Sequence, residues 1–310
     1  VNGRVTERAR HVALVGTTAS GKTSLALAVG REQRDIEIVS IDSMQVYRGM
    51  DIGTAKPSAA ERAEVPHHLI DLVDPDEEFT VAQFQLAFRE ALRDIEDRGH
   101  RALLVGGTGL YLRAAVDALQ IPGRYPHVVR TLEVQPTSAL YAQLSDLDPV
   151  GAARMTATNR RRIVRALEVT IGSGRPFSSY GPGLHAYGPV PFRLVGVALP
   201  AAVVAARIEQ RYHEQVAAGF VDEVRALLAR PEGLSRTARQ ALGYKELAAH
   251  VAGETTLEAA LDAAIRRTRR LARRQRAWFR RDPRIEWLVA ESDPCEVLAA
   301  LRQILSERGA

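Results

Sequence analysis

Cysteine is almost absent from this chain: Cys295 is the single one in 310 residues. That excludes an intrachain disulfide and any metal site built on cysteines. Long apolar runs are missing too, and none approaches the roughly 20 residues a helix needs to cross a bilayer. The segment Val1 to Arg10 is polar and charged and lacks the apolar stretch of a signal peptide. The expected location is therefore the cytoplasm, with no membrane partner. Internal repeats and low-complexity tracts are absent as well. Hydrophobic content of 46% and charged content of 25% are ordinary for a soluble globular protein, so the chain has the means to bury one large core, or a core with an inserted subdomain.

Negative charge is lacking where positive charge is densest. The net charge is only +5, yet Arg266, Arg267, Arg269, Arg270, Arg273, Arg274, Arg276, Arg280 and Arg281 follow one another with no acidic residue among them. A second cluster is Arg160, Arg161, Arg162 and Arg165. Solvated helix faces usually mix both signs. All-arginine runs point instead to a polyanion, because guanidinium groups grip phosphates in a bidentate way.

What is present in strength is Gly16-Thr17-Thr18-Ala19-Ser20-Gly21-Lys22-Thr23, directly after the apolar run Val12 to Val15. It fits G-x-x-x-x-G-K-[ST] in its proper place, between a buried strand and a helix predicted over Ser24 to Arg31. The glycines let the backbone wrap phosphate oxygens with consecutive N–H groups and a helix N-terminus. Gly16, Thr18, Ala19, Ser20, Gly21, Lys22 and Thr23 are thus candidate phosphate-binding residues. Lys22 supplies a point charge, and the Thr23 hydroxyl is placed to ligate Mg2+. The loop by itself does not say which phosphate compound is bound or what becomes of it.

Alternation of strand and helix continues to about residue 118. Ile36 to Ile41 reads as a second strand ending at Asp42, Val81 to Arg98 as an amphipathic helix closed by Gly99, and Arg101 to Val105 as a third strand. A helix is predicted from Leu110. This pattern implies an α/β fold: a parallel sheet of the P-loop NTPase-like kind, flanked by helices. Its ligands belong at the carboxyl ends of the strands, which gathers the phosphate loop, Asp42 and Thr108 on one rim. From 119 to 190 the strand signal fades, and this stretch reads as a helical insertion subdomain. Residues 1–118 and 191–310 form the core, with Phe192 to Leu199 as a further strand and helices from there to the end.

Asp42, at the end of a buried strand and facing the loop, suits a general base or a magnesium contact. Ser43 and Gln45 have side chains able to read a base edge. His67-His68 lacks a third ligand at suitable spacing, so it reads as structural or substrate-contacting. Trp278 and Phe279 read as helix packing, and Arg225 by position alone as a surface arginine.

Taken together, several segments resemble one family, the tRNA dimethylallyltransferases. They are Gly16 to Thr23, Asp42-Ser43-Met44-Gln45-Val46-Tyr47, Asp51 to Pro57, His67 to Asp71 and Gly106 to Tyr111. Further along come Arg161 to Val169, Gly243 to Glu246 and Arg273 to Arg280. The resemblance runs from residue 12 to about 288. Thr17 stands where the family usually has proline, Ala277 where it has threonine, and Pro122 to Asp148 matches least. With no zinc-finger extension following, the bacterial type is expected.

The resemblance implies transfer of a dimethylallyl group from dimethylallyl diphosphate to N6 of adenosine 37, beside the tRNA anticodon. Asp42 would be the base, with Thr108 sharing the contact. Lys22, Arg225, the loop amides and Mg2+ at Thr23 would carry the growing charge of pyrophosphate. The tRNA-binding positions it implies are Asp42, Ser43, Met44, Gln45, Thr108, Arg130, Arg161, Arg162, Ile163, Val164, Arg165, Arg239, Gly243, Tyr244 and Lys245. The target base would be extruded from the anticodon loop. A monomer is expected. Three alternatives stand beside this: an adenylate isopentenyltransferase acting on free nucleotides, which would not need the arginine clusters, an ATP-dependent small-molecule kinase, and a nucleic-acid-binding module with a vestigial loop.

Overall fold

The computed structural model describes residues 10–184 and 186–307; the polar N-terminal segment lies almost wholly outside the described residues. Six parallel strands form one sheet, β1 (His11–Gly16), β2 (Ile36–Ser40), β3 (His67–His68), β4 (Arg101–Gly106), β5 (Phe192–Ala198) and β6 (Ile285–Val289). They lie in the order β3-β2-β4-β1-β5-β6. Helices α1 (Lys22–Glu32), α2 (Ala59–Glu64), α3 (Val81–Asp97) and α4 (Gly109–Val116) accompany the first four strands. Then come α5 (Pro126–Glu133), α6 (Thr137–Leu147), α7 (Pro149–Ala153) and α8 (Arg160–Ser173). The chain closes with α9 (Ala201–Ala217), α10 (Phe220–Leu228), α11 (Tyr244–Val251), α12 (Leu257–Phe279) and α13 (Leu298–Ser306).

The interior strands are buried on both faces, as parallel strands covered by helices must be. All six residues of β1 are buried, as are all five of β2. Backbone pairing aligns Val15 with Gly106 and Ser40 with Val105. The chain leaves β1, β2 and β4 on the same rim, which is how the loop, Asp42 and Thr108 come together. Where only helices are expected after β5, the structure has a sixth strand. β6 pairs with β5 from Leu194↔Ile285 to Ala198↔Val289. At five residues with an edge position and mixed burial, Ile-Glu-Trp-Leu-Val carries little of the apolar-run signal of an interior strand.

By compactness the chain divides into two units, one of residues up to 117 and from 189 onward, the other of residues 118–188. The second unit is wholly helical and packs its own core from Val128, Leu132, Leu140, Leu144, Ile163, Ala166 and Leu167. Among the described residues no helix is long and apolar enough to cross a membrane.

Candidate active site

The phosphate loop leaves β1 through Gly16 and reaches α1 at Gly21, whose φ of +80° and close approach to the Pro294 ring leave no room for a side chain. Ala19 also adopts a left-handed conformation, φ +60°, a strain of order 1 kcal/mol for a residue with a Cβ. Three side chains hold the loop so. The ammonium of Lys22 donates to the Thr17 carbonyl at 2.5 Å and to Ser20 Oγ at 3.3 Å. Arg207 of α9 donates to the Ala19 carbonyl at 3.0 Å, and Gln275 of α12 accepts the Thr18 N–H at 2.8 Å.

Charge is concentrated here and poorly solvated. Lys22 is only 8% exposed; burial pushes its ammonium down to about 7, the nearby Arg211 adds to the depression, and Asp42 opposes it. Asp42 is held above the usual carboxylate range by burial, against the pull of the Met44 N–H, Lys22 and Arg211. Its Oδ1 accepts the Met44 N–H at 2.8 Å. Burial also lowers Arg211, partly offset by Asp42, and its Nε is buried with no hydrogen-bond partner. An unpartnered guanidinium N–H beside a half-charged lysine is an arrangement that an anion completes.

Thr108 joins the site through its hydroxyl, which accepts the Ser43 N–H at 3.3 Å and donates to Ser43 Oγ at 3.4 Å. Gln45 has both ends of its amide engaged, with Ser40 Oγ at 2.8 Å and with the carbonyls of Thr54 and Ala55 at 3.3 Å. Met44 is half-buried, and Thr23 presents its side chain at the exposed start of α1.

Several implied positions stand differently. Arg225 is not brought to this cluster: it is 59% exposed and pairs with Asp222 one turn away on α10. Ile163 is fully buried in the core of the 118–188 unit, with Val164 packed against it, so the helix cannot offer Ile163 to a ligand. Tyr244 is buried as well. Its hydroxyl donates to Glu223 at 2.6 Å, and that carboxylate also accepts the N–H groups of Asp51, Ile52 and Gly53. Tyr244 and the adjoining Gly243, buried beside Phe220, therefore tie α11 to the Asp51–Lys56 turn. Arg165 donates to the carbonyls of Pro122 and Gly123 and to Glu168. By contrast Arg130, Arg161, Arg162, Arg239 and Lys245 are exposed and have no ion-pair partner among the described residues.

The histidine pair divides: His67 Nδ1 bonds the Val65 carbonyl at 2.7 Å and leaves its Nε2 buried without a partner among the described residues. His68 bonds the buried Glu37 at 2.6 Å; burial raises that carboxyl, but Arg98, His68 and His100 outweigh it and hold it at about 2. No group of three or more metal-ligating side chains occurs among the described residues. Phe279 is buried, and Trp278 packs its indole edge against Gly109, next to Thr108.

Arg211, Arg207 and Gln275 were not singled out by their motifs, although the sequence carries a signal for two of them. Arg211 flanks the inward stripe of Val204, Ile208, Tyr212 and Gln215 on α9, and Gln275 lies at helical spacing from the buried Ala272 and Phe279 of α12. A charged or amide residue in an apolar stripe needs a buried reason to be there.

A glycine-lysine phosphate-loop motif on the central rim of a parallel sheet, with a raised carboxylate near its lysine, places the protein in the P-loop α/β class. The comparisons with known proteins narrow the class. The IPP transferase family model matches residues 45–282, and that of isopentenyl transferases residues 9–71. A tRNA dimethylallyltransferase of Kineococcus radiotolerans is 46% identical over 305 residues, 95% of this chain and 96% of that one. One from Desulforudis audaxviator is 47% identical over 292 residues, covering 90% and 92%. Among solved structures, the tRNA isopentenylpyrophosphate transferase of Bacillus halodurans superposes with a TM-score of 0.68 at 36% identity, covering 96% of this chain and 97% of that one. The chain belongs to the tRNA dimethylallyltransferase family and is an enzyme of the prenyltransferase type.

Proposed function

We propose that this protein transfers the dimethylallyl group of dimethylallyl diphosphate to N6 of adenosine 37 in tRNA, releasing pyrophosphate. The observation that carries the reading is the charge cluster of Lys22, Arg211 and Asp42 around one phosphate loop, with the Arg211 Nε lacking a partner. In the reaction the bond between C1 of the prenyl group and the diphosphate oxygen breaks, and its electron pair leaves with pyrophosphate. The C1–N6 bond forms and the amine loses one proton. Lys22, Arg211 and the loop N–H groups meet the charge gathering on the leaving group, which is stronger in the transition state than before it. Arg211 takes the part that the motif match assigns to Arg225.

Asp42 accepts the N6 proton. A carboxylate already raised by burial is a better base than one in water, and its Oδ1 is held by the Met44 N–H. The Thr108 hydroxyl, delivered by β4, lies beside Ser43, the residue after Asp42, to orient the amine. Magnesium fits the donor set: Thr23 offers an exposed hydroxyl, and Mg2+ is commonly bound by one or two protein oxygens with substrate phosphates and water. When bound it would neutralise part of the diphosphate charge. For the tRNA, the exposed Arg130, Arg161, Arg162, Arg239 and Lys245, with the free arginines of α12, supply phosphate contacts.

Transfer of labelled dimethylallyl from its diphosphate, with magnesium, to unmodified tRNA in competition with AMP and ATP tests this. Label on tRNA alone is expected. Label on the free nucleotides would replace the reading with a nucleotide prenyltransferase.

A further inference from the structure

Gln275 lies within the arginine run of α12 but faces inward, three residues after the buried Ala272 and four before the buried Phe279. Its carboxamide joins two parts of the active-site rim. Oε1 accepts the Thr18 N–H of the phosphate loop at 2.8 Å, and Nε2 donates to the carbonyl of Gly107, one residue ahead of Thr108, at 3.0 Å. The fit is close: a Cβ at position 107 would stand 2.4 Å from Nε2. Glycine there is what admits the amide.

The outward side of the same turns carries Arg270, Arg273 and Arg274, exposed and without ion-pair partners among the described residues. Helical spacing puts them in one stripe, i, i+3 and i+4. One short piece of helix therefore grips the phosphate loop on one side and offers free positive charge on the other. The loop needs that grip, because Ala19 beside Thr18 holds a left-handed conformation that a chain with a Cβ leaves readily.

We propose that Gln275 is a positioning residue that ties the diphosphate loop to the polyanion-binding stripe of α12, so that tRNA bound on the stripe tightens the diphosphate site. This rests on the tRNA-modifying reading above. Phosphates along the stripe relieve the repulsion between neighbouring arginines and stiffen that stretch of helix. A stiffer helix fixes the carboxamide and, through it, the Thr18 amide and the Gly107 turn. Diphosphate then binds a loop already ordered, with less conformational entropy left to lose. The coupling is reciprocal, since each ligand must change the other's affinity by the same factor.

The test is calorimetry with inorganic pyrophosphate and magnesium, alone and with an anticodon stem-loop carrying guanosine for the acceptor adenosine, so that no turnover occurs. In the wild type the stem-loop should tighten pyrophosphate about fivefold or more. Gln275→Ala should weaken pyrophosphate alone about tenfold and reduce the stem-loop effect below twofold. Its KM for dimethylallyl diphosphate should rise while kcat at saturation stays within about threefold. Gln275→Met fills similar space without either hydrogen bond and should match the alanine variant; wild-type behaviour in Gln275→Met overturns the inference even where alanine fails to fold. So does pyrophosphate affinity in the wild type that ignores the stem-loop. Failure of the parent reading looks different: pyrophosphate binds, and no label reaches tRNA.

Discussion

Two arginine-bearing helices, α8 and α12, differ on their inward faces. Helix α8 packs Ile163, Ala166 and Leu167 into a cluster that belongs wholly to the 118–188 unit. Helix α12 buries Ala264, Thr268, Ala272 and Phe279, and between the last two it sends Gln275 to the phosphate loop. Their outward charges also divide. On α8, Arg160 donates to the carbonyls of Glu133 and Gln135 at 2.8 and 2.7 Å, closing the end of α5, and Arg161 and Arg162 have no ion-pair partner among the described residues. On α12, Arg267 pairs with Glu246, Arg269 with Glu209 at 2.6 Å, and Arg276 donates to the Leu199 carbonyl at 2.8 Å. The exposed remainder forms a stripe. An arginine run is thus a mixture of caps, ion pairs and free charge, and the neutral residues on the opposite face decide what the free charge can influence.

The largest effect is expected at the site that α12 serves. Asp42→Ala should lower single-turnover transfer by about a thousandfold, the range of a lost general base, with tRNA affinity within about threefold by filter binding. Equal losses of both would make Asp42 a tRNA-positioning group. Next, Arg211→Ala should cost about a hundredfold in kcat/KM for the prenyl diphosphate, and Arg225→Ala about twofold or less. A reversal of that pair would return the leaving-group role to α10.

The two helices themselves come third. Removing Arg273 and Arg274 together should weaken tRNA binding about tenfold and flatten the slope of log affinity against log salt by roughly 0.7–0.9 for each phosphate no longer neutralised. Arg160→Ala should leave that slope alone and reduce unfolding stability by about 1–2 kcal/mol, because carbonyls it satisfies lose their partner. An unchanged slope in the α12 variant would make its stripe merely solvated.

The smallest effect concerns protons. With Lys22 at about 7 against 10.5 for an exposed lysine, most molecules hold it neutral at pH 8, and a bound anion recharges it. Pyrophosphate binding at that pH should take up close to one proton, read from calorimetry in buffers of different ionisation enthalpy; no uptake would mean that the ammonium is charged beforehand. In the ligand-free protein the same depression makes the unfolded chain bind more protons between pH 7 and 10.5. Stability from this group therefore rises with pH across that window.

The strands β1, β2, β4 and β5 and the helices α1, α3, α4 and α9 were legible in the sequence, because apolar runs and helical spacing are local signals, whereas α2 and the two-residue β3 are too short to carry one. The loop motif and the ends of β2 and β4 sufficed to place Asp42 and Thr108 on one rim, since parallel strands all deliver their carboxyl ends to the same side. Less was legible at β6, where an edge strand of five residues has no such run. The motif matches also outran the physics at Ile163 and Tyr244. A motif match marks a segment as a unit, but a helix turns every neighbour by about 100°, so one member of the segment faces the core while the next faces solvent.

By itself, then, the sequence determined the class of this protein: a buried strand, two glycines, a lysine and a threonine at set spacing dictate a phosphate-gripping turn from local geometry alone. Only the tertiary structure decided which charges stand beside it. Arg211 and Arg225 are both arginines on helices in sequence, and burial beside Lys22 and Asp42 sets one apart while a surface bond to Asp222 occupies the other. Gln275 became part of the loop because α12, more than 250 positions along the chain from Thr18, packs where a glycine at 107 leaves room for an amide. Such long-range pairings depend on how helices dock on the sheet, and no local pattern encodes that.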